Sequence, residues 1–216
     1  MGKKIVKMKK QKQTYIYRII HRENLQILID EGKLVAPNYA TNENYIPIGE
    51  QQLIKLRGNK KVMLEPYGTL RDYISFYFGV RSPMLYCIAN GYDVQKLDQE
   101  DIIYLITSIE KLDETGVKFV FTDGHSYAAL TRFFNNISDL DKIDWKTVHS
   151  KRWNNLPDDP DRKRRKETEC LVYKELTFDK ILAISVYNQN ASNYISSVLQ
   201  KNNLNIPVLI KPDWYY

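Results

Sequence analysis

The sequence predicts one α+β domain, and three observations predict it. A chain of 216 residues is long enough to bury one proper core. An apolar share of 43% and a charged share of 27% match an ordinary globular composition. Short β-branched and aromatic runs interleave with short helical stretches, and no internal repeat, low-complexity segment or linker divides them.

The elements follow in order. The start, Met1-Gly-Lys-Lys-Ile-Val-Lys-Met-Lys-Lys10, is basic but lacks the apolar centre of a secretory signal. Residues 1–13 are therefore expected to be a mobile basic arm on a cytoplasmic protein, with the domain spanning 14–216. Residues 15–20 are rich in β-branched and aromatic side chains and predict a strand. A short helix follows over 25–32, stopped by Gly32. His21 falls at the junction, where it either satisfies local backbone or helps a helix N-terminus cradle a nucleotide. After a polar loop over 36–48, Gln51–Arg57 predicts a turn or two of helix that breaks at Gly58-Asn59. Residues 73–79 predict a strand, and Ser82-Pro83 a turn or helix start. The runs 102–109 and 117–122 are expected to pair as strands, with Asp123-Gly124 closing the second. Residues 125–135 suit a helix with an apolar stripe, and Asp144 is placed to cap another over 144–149. Strands over 181–187 and 206–211 flank a helix over 193–201.

The stretch between them carries the most information. Residues 150–166 are too long and polar for a simple connection in a compact domain, which suggests a functional loop. Trp153 is costly to leave exposed there unless it covers something. The loop ends in five consecutive cations, Arg162-Lys-Arg-Arg-Lys166, set against Glu167-Thr-Glu169 and the apolar Cys170-Leu-Val172. Composition alone is compatible with a solvated charged face. The abrupt change to an apolar run suggests more. A strand over 167–173 would put Glu167, Glu169 and Leu171 on one face, because side chains alternate with period two. Two carboxylates would then stand beside a cationic loop on which a polyanion can dock.

A net charge of +6 and a pI near 9.1 favour an anionic partner without identifying it. The 16 tyrosines and 3 tryptophans offer faces for bases to stack on, although such residues usually form core. Cys87 and Cys170 have neither CxxC spacing nor histidine companions, so zinc and redox motifs are unsupported. Cys170 reads as a packed small hydrophobe. No apolar run reaches the ~20 residues of a membrane span, and no Walker A loop, GxGxxG, HExxH or GxSxG is present.

In order along the chain stand His21-Arg-Glu-Asn-Leu25, Ile46-Pro-Ile-Gly49 with Leu53-Ile-Lys-Leu-Arg57, and Ser75-Phe-Tyr-Phe-Gly-Val-Arg-Ser-Pro-Met-Leu-Tyr86. Phe121-Thr-Asp-Gly124 leading to Thr131-Arg-Phe133, then Asp144-Trp145, and Arg164-Arg-Lys-Glu-Thr-Glu-Cys-Leu-Val172 follow. Together these segments resemble the DarT family, toxin enzymes that transfer ADP-ribose from NAD to bases in DNA. The run from Tyr77 to Tyr86 is the most specific piece. The resemblance implies an ADP-ribosyltransferase fold: a split, mostly antiparallel β core with flanking helices, a long substrate-recognition loop, and NAD in the cleft. It implies that His21, Asn24 and Gly49 bind NAD and that Arg57 holds and orients it. Tyr77 and Met84 would lie near the reacting groups, with Glu169 as the catalytic glutamate. His125, Trp153, Arg162, Lys163, Arg164, Arg165 and Glu167 would face the DNA, the cations on its phosphates. The implied partners are single-stranded DNA and a macrodomain-type ADP-ribosylglycohydrolase antitoxin, with no metal and no membrane. The role would be that of a toxin in a toxin–antitoxin or phage-defence pair.

Such chemistry needs a carboxylate for a physical reason. Nicotinamide leaves ribose through a transition state with oxocarbenium character. A fixed carboxylate stabilises that charge, holds the ribose hydroxyl and can accept the proton lost by an attacking base nitrogen. Two departures from the family pattern matter. Glu167 stands where Gln is expected, which exchanges a donor-plus-acceptor for an acceptor. That leaves the acceptor base open and keeps protein arginine possible; an enzyme with a protein or RNA acceptor is the second reading, and a catalytically inactive nucleic-acid binder the third. Ile20 precedes His21 where a small polar residue is expected, a change that a backbone contact would tolerate.

Overall fold

A computed structural model describes residues 13–216, so all but the last residue of the expected basic arm lies outside the described residues. The chain runs β1 (Tyr15–His21), α1 (Asn24–Glu31), β2 (Lys33–Val35), α2 (Gln51–Arg57), β3 (Tyr73–Tyr77) and α3 (Pro83–Asn90). There follow β4 (Ile102–Ser108), α4 (Ile109–Glu114), β5 (Phe119–Thr122), β6 (Phe133–Phe134), α5 (Trp145–Val148) and α6 (Arg162–Lys166). The last third holds β7 (Glu169–Tyr173), β8 (Glu175–Thr177), β9 (Ala183–Val186), α7 (Gln189–Lys201) and β10 (Val208–Ile210). Eight strands form one sheet in the order β10-β9-β4-β1-β3-β7-β5-β6, while β2 and β8 pair separately. Only the β10–β9 pairing in the large sheet is parallel.

Both faces of the sheet are covered, which is why β4 is buried at every residue. Ile103 and Leu105 face a core built with Leu25 and Leu28 of α1, Leu112 of α4, and Ile195 and Leu199 of α7. The alternate residues Ile102, Tyr104 and Ile106 face a second cluster with Leu85 and Ile88 of α3 and Tyr215. Each such side chain removed from water contributes about 1.5–3 kcal/mol. On this second face, a separate cluster of Val62, Leu70, Tyr73, Val120 and Leu171 lies across β3, β5 and β7.

The sheet is split in the middle. β1 pairs with β4 along all seven residues but meets β3 only at Tyr17–Tyr77. The freed Ser75 carbonyl accepts instead from the Arg18 guanidinium at 2.9 Å. A cleft opens at this split, between the α3 side and the β7 side.

Several expectations are corrected. The runs at 102–109 and 117–122 do not pair: β4 lies between β1 and β9, and β5 between β7 and β6, because α4 carries the chain from one half of the sheet to the other. Residues 125–135 form turns and the short β6 rather than a helix. Their backbone donors go to carboxylates: Ser126 N–H to Glu169 and Arg132 N–H to Asp123. The strand expected over 167–173 begins only at Glu169, since Glu167 closes the last turn of α6 with its N–H on the Arg164 carbonyl. The two carboxylates therefore share no strand face. Asp144 caps α5 through the Thr147 N–H, as its position suggested, and α7 starts earlier than expected, on an Asn188 cap.

Candidate active site

The cleft encloses about 660 Å³, within the range that takes a small organic ligand. Arg18 of β1, Ser75 and Tyr77 of β3, Met84 and Cys87 of α3, Gly49, Arg57, His125, Lys163 and Glu167 all line it. Gly49 is there because α2 comes close: a Cβ would sit 3.2 Å from Ile54 Cδ1.

Glu169 opens β7 opposite Tyr77 of β3. Its carboxylate is fully buried just beneath the cleft, with Arg57 between it and the open space. Arg57 Nη1 donates to Oε1 at 3.2 Å and Nη2 to Oε2 at 2.8 Å, a paired fork. The Ser126 N–H and hydroxyl add donors to Oε1 at 2.9 and 2.8 Å. Arg57 Nη2 also donates to Ser75 Oγ at 2.7 Å. Burial works against ionisation of Glu169, but the Arg57 guanidinium and the Ser126 donors outweigh it and bring the carboxyl down to about 2. The group is a fixed anion.

Glu167 is different. It stands half-buried on the cleft wall, and burial together with the charge of Glu169 pushes its carboxyl up to about 7. Burial and the neighbouring carboxylates hold the Tyr77 phenol above its usual range, so it stays a neutral hydroxyl, 3.8 Å from Met84 Sδ. Burial lowers the His125 imidazole, which favours its neutral form.

Of the other residues singled out by sequence, several do structural work. Asn24 clamps the backbone of Ile46 from both sides, at 2.8 Å each, and so positions the segment leading to Gly49. His21 accepts the Glu23 N–H on Nδ1, and neither His21 nor Asn24 lines the cleft. Trp153 does cover something: its indole donates to the Tyr216 hydroxyl at 2.7 Å and packs on Tyr86, away from the cleft. Most of the cationic run is turned inward. Arg164 is ion-paired with Asp123 and Asp161, and Arg165 with Asp144 and Asp159. Arg162 donates to the Arg152 carbonyl and Ser150, and buried Lys166 to the carbonyls of Val80, Val148 and Ser150. Lys163 alone of the five is both exposed and on the cleft.

Sequence reasoning assigned no role to Ser126, Ser75 or Arg18. Ser75 opens one of the family-like segments, but a serine hydroxyl has no pattern that marks it as a partner of Arg57. Among the described residues, no cluster of three His, Cys, Asp or Glu suits a metal ion, and no helix is long and apolar enough to cross a membrane.

Comparison with known proteins agrees with this geometry. Residues 17–216 match the family model described as ssDNA thymidine ADP-ribosyltransferase, DarT. A DNA ADP-ribosyl transferase of Thermus sp. (strain 2.9) is 35% identical over 205 residues, covering 94% of this chain and 96% of its own. One from Escherichia coli O127:H6 is 31% identical over 205 residues, covering 94% of each. The structure of Thermus sp. 2.9 DarT in complex with ADP-ribosylated ssDNA superposes with a TM-score of 0.89 at 34% identity, over 94% of this chain and 96% of that one. The same protein in complex with NAD+ gives 0.85 at 33%, over 95% and 99%. The split sheet, the cleft at its seam and the buried Arg57–Glu169 pair thus sit in a chain that belongs to the DarT family of ssDNA thymidine ADP-ribosyltransferases.

Proposed function

We propose that this chain transfers ADP-ribose from NAD to thymidine in single-stranded DNA. The observation that carries the reading is the Arg57–Glu169 pair lying under a cleft of dinucleotide size at the split of the sheet. Arg18, Arg57 and Lys163 supply cations for a diphosphate and for a DNA backbone, while Met84 and Tyr77 supply an apolar wall for the nicotinamide end. Asn24 holds the segment that leads to Gly49, and Gly49 lines the cleft in which the donor would lie. As nicotinamide departs, the negative charge of Glu169, fixed in place by Arg57 and Ser126, stabilises the cationic ribose without reorganising. A single strand is favoured as acceptor because the reacting base must leave its stack to reach the sugar carbon.

The biological reading is a cytoplasmic toxin whose lesion is removed by a macrodomain-type ADP-ribosylglycohydrolase, in a toxin–antitoxin or phage-defence pair.

The test is incubation with NAD and short single-stranded oligonucleotides that contain or lack thymidine, read by mass spectrometry of the DNA. Mass gain confined to thymidine-containing strands, and lost in Glu169→Ala, is expected. Transfer to RNA or to protein arginine instead would move the acceptor, and the carboxylate at Glu167 makes arginine the alternative to include.

A further inference from the structure

The lysine and arginine side chains that line the cleft are Arg18, Arg57, Arg71 and Lys163. Three of them are engaged by the protein itself. Arg18 donates to the Ser75 carbonyl, and Arg57 forks onto Glu169 and reaches Ser75 Oγ. The Lys163 ammonium stands 5.9 Å from the centre of the Trp153 ring. Arg71 is different. Among the described residues, no hydrogen bond or ion pair holds its guanidinium, and its Nε is buried without an acceptor. A buried donor left unbonded is costly, and an acceptor arriving from the cleft removes that cost.

The turn that carries Arg71 is fixed by bonds that leave its side chain out. Asp72, next in sequence, gives its carboxylate to neutral donors. Its Oδ2 accepts the Thr69 N–H and hydroxyl at 2.7 and 3.0 Å, and its Oδ1 the Asn38 side-chain amide at 2.8 Å. The Asn38 N–H in turn donates to the Arg71 carbonyl at 3.1 Å, which ties down the segment holding the cleft residues Pro37, Ala40 and Thr41. Gly58 completes the mount. Its φ of −57° suits any residue, so backbone freedom does not account for the glycine. A Cβ there would lie 2.8 Å from Arg71 Cδ. Glycine leaves room for the Arg71 stem at the end of α2.

We propose that Arg71 is a phosphate-binding residue of this cleft, its paired guanidinium donors closing on the oxygens of one phosphate. The proposal deepens the transfer reading above and rests on it. Both substrates of that reaction carry the group: NAD in its diphosphate, single-stranded DNA in its backbone. Position favours the donor. Tyr77, Ser75 and Tyr73 follow one another along the cleft with the period of a strand, and Arg71 comes next. At ~3.3 Å per residue it stands at most about 13 Å beyond Ser75. A dinucleotide laid along β3 with its nicotinamide against Tyr77 and Met84 passes Arg57 and carries its phosphates towards Arg71. Arg57 then keeps its fork on Glu169 while Arg71 takes the phosphate charge.

The experiment measures NAD affinity by calorimetry and single-stranded oligonucleotide affinity by fluorescence anisotropy, with a thermal melt of every variant. Arg71→Ala should melt as wild type does and lose roughly 10–100-fold in affinity for the substrate whose phosphate it holds. A loss on NAD alone assigns the diphosphate. A loss on the oligonucleotide alone, with the plot of log affinity against log salt flattened by about 0.7, assigns the DNA backbone. Arg71→Lys keeps the charge without the fork and should recover part of the affinity. Gly58→Ala pushes the Arg71 stem aside, so it should weaken the same substrate on its own and add nothing to Arg71→Ala. An Arg71→Ala protein that binds both substrates as tightly as wild type overturns the proposal. So does a loss on both that comes with a lower melting temperature and that Arg71→Lys does not relieve, since that marks a structural role. A wild-type protein that binds NAD through Arg71 yet leaves thymidine unmodified would sink the transfer reading and leave the phosphate site standing.

Discussion

Replacing Arg57 with alanine is the most searching perturbation of this structure. The substitution removes two of the four hydrogen bonds to a carboxylate that has no exposed surface, and leaves its charge facing only Ser126. Breaking a buried pair on one side costs about 3–5 kcal/mol, largely through the stranded charge. The acidity of Glu169 yields an independent figure. A carboxyl at about 2, against a usual 4.5, is worth about 3 kcal/mol of folding stability above the unfolded value. That contribution is present above pH 4.5 and is lost as pH falls through 2, so wild type should weaken in acid over this window. Both routes agree on roughly 3 kcal/mol, a large share of the ~5–15 kcal/mol that holds a domain together. Because α2 buries none of its residues, Arg57 is also its main tie to the sheet, and amide exchange in α2 should accelerate. Urea unfolding at pH 7 gives the measurement, with Glu169→Gln and the double variant completing a cycle. A loss in Arg57→Ala below about 1 kcal/mol, or a double variant additive within about 0.5 kcal/mol, would refute the view of this pair as one coupled unit.

Glu167 carries the opposite linkage. Its carboxyl is raised to about 7, so its contribution is intact below its unfolded value and is lost as pH rises through 7. Glu167→Gln should therefore be the more stable protein at pH 8, by about 2 kcal/mol after allowing for partial exposure, and no more stable near pH 4; thermal melts at both pH values test this. Lys163→Ala should weaken single-stranded DNA binding and flatten the plot of log affinity against log salt by about 0.7, whereas Arg165→Ala, deprived of Asp144 and Asp159, should lower the melting temperature and leave that slope alone. Equal slope changes for the two would show that the inward-turned arginines also meet the strand. Gly79→Ala places a methyl 2.5 Å from the Val148 carbonyl oxygen and should cost about 1–3 kcal/mol in urea unfolding; a neutral result would mean that the Val148 segment yields.

Local signals were enough for what depends on near neighbours. Gly32 ends α1 in the left-handed region at φ 68°, Asp144 caps α5, and the β-branched runs around Ile19, Ile103 and Ile184 lie in buried strands. The order of family-like segments also singles out Arg57 and Glu169. Periodicity failed where side chains intercept the backbone, as at 125–135, where Asp123 and Glu169 take the donors that a helix would need.

Strand partnership and charge pairing were beyond the sequence, because both depend on residues far apart along the chain. Arg57 and Glu169 are 112 positions apart, and only the sheet order carries β7 to β3 beneath α2. The five-cation run looked like one electrostatic surface, yet aspartates at 123, 144, 159 and 161 neutralise two of its arginines and leave Lys163 on the cleft. Likewise, residue pattern alone placed two carboxylates two residues apart, and only the family resemblance separated Glu169 from Glu167. Tertiary structure made one a sealed anion and the other a near-neutral acid, because acidity is set by burial and by the charges that folding brings within reach.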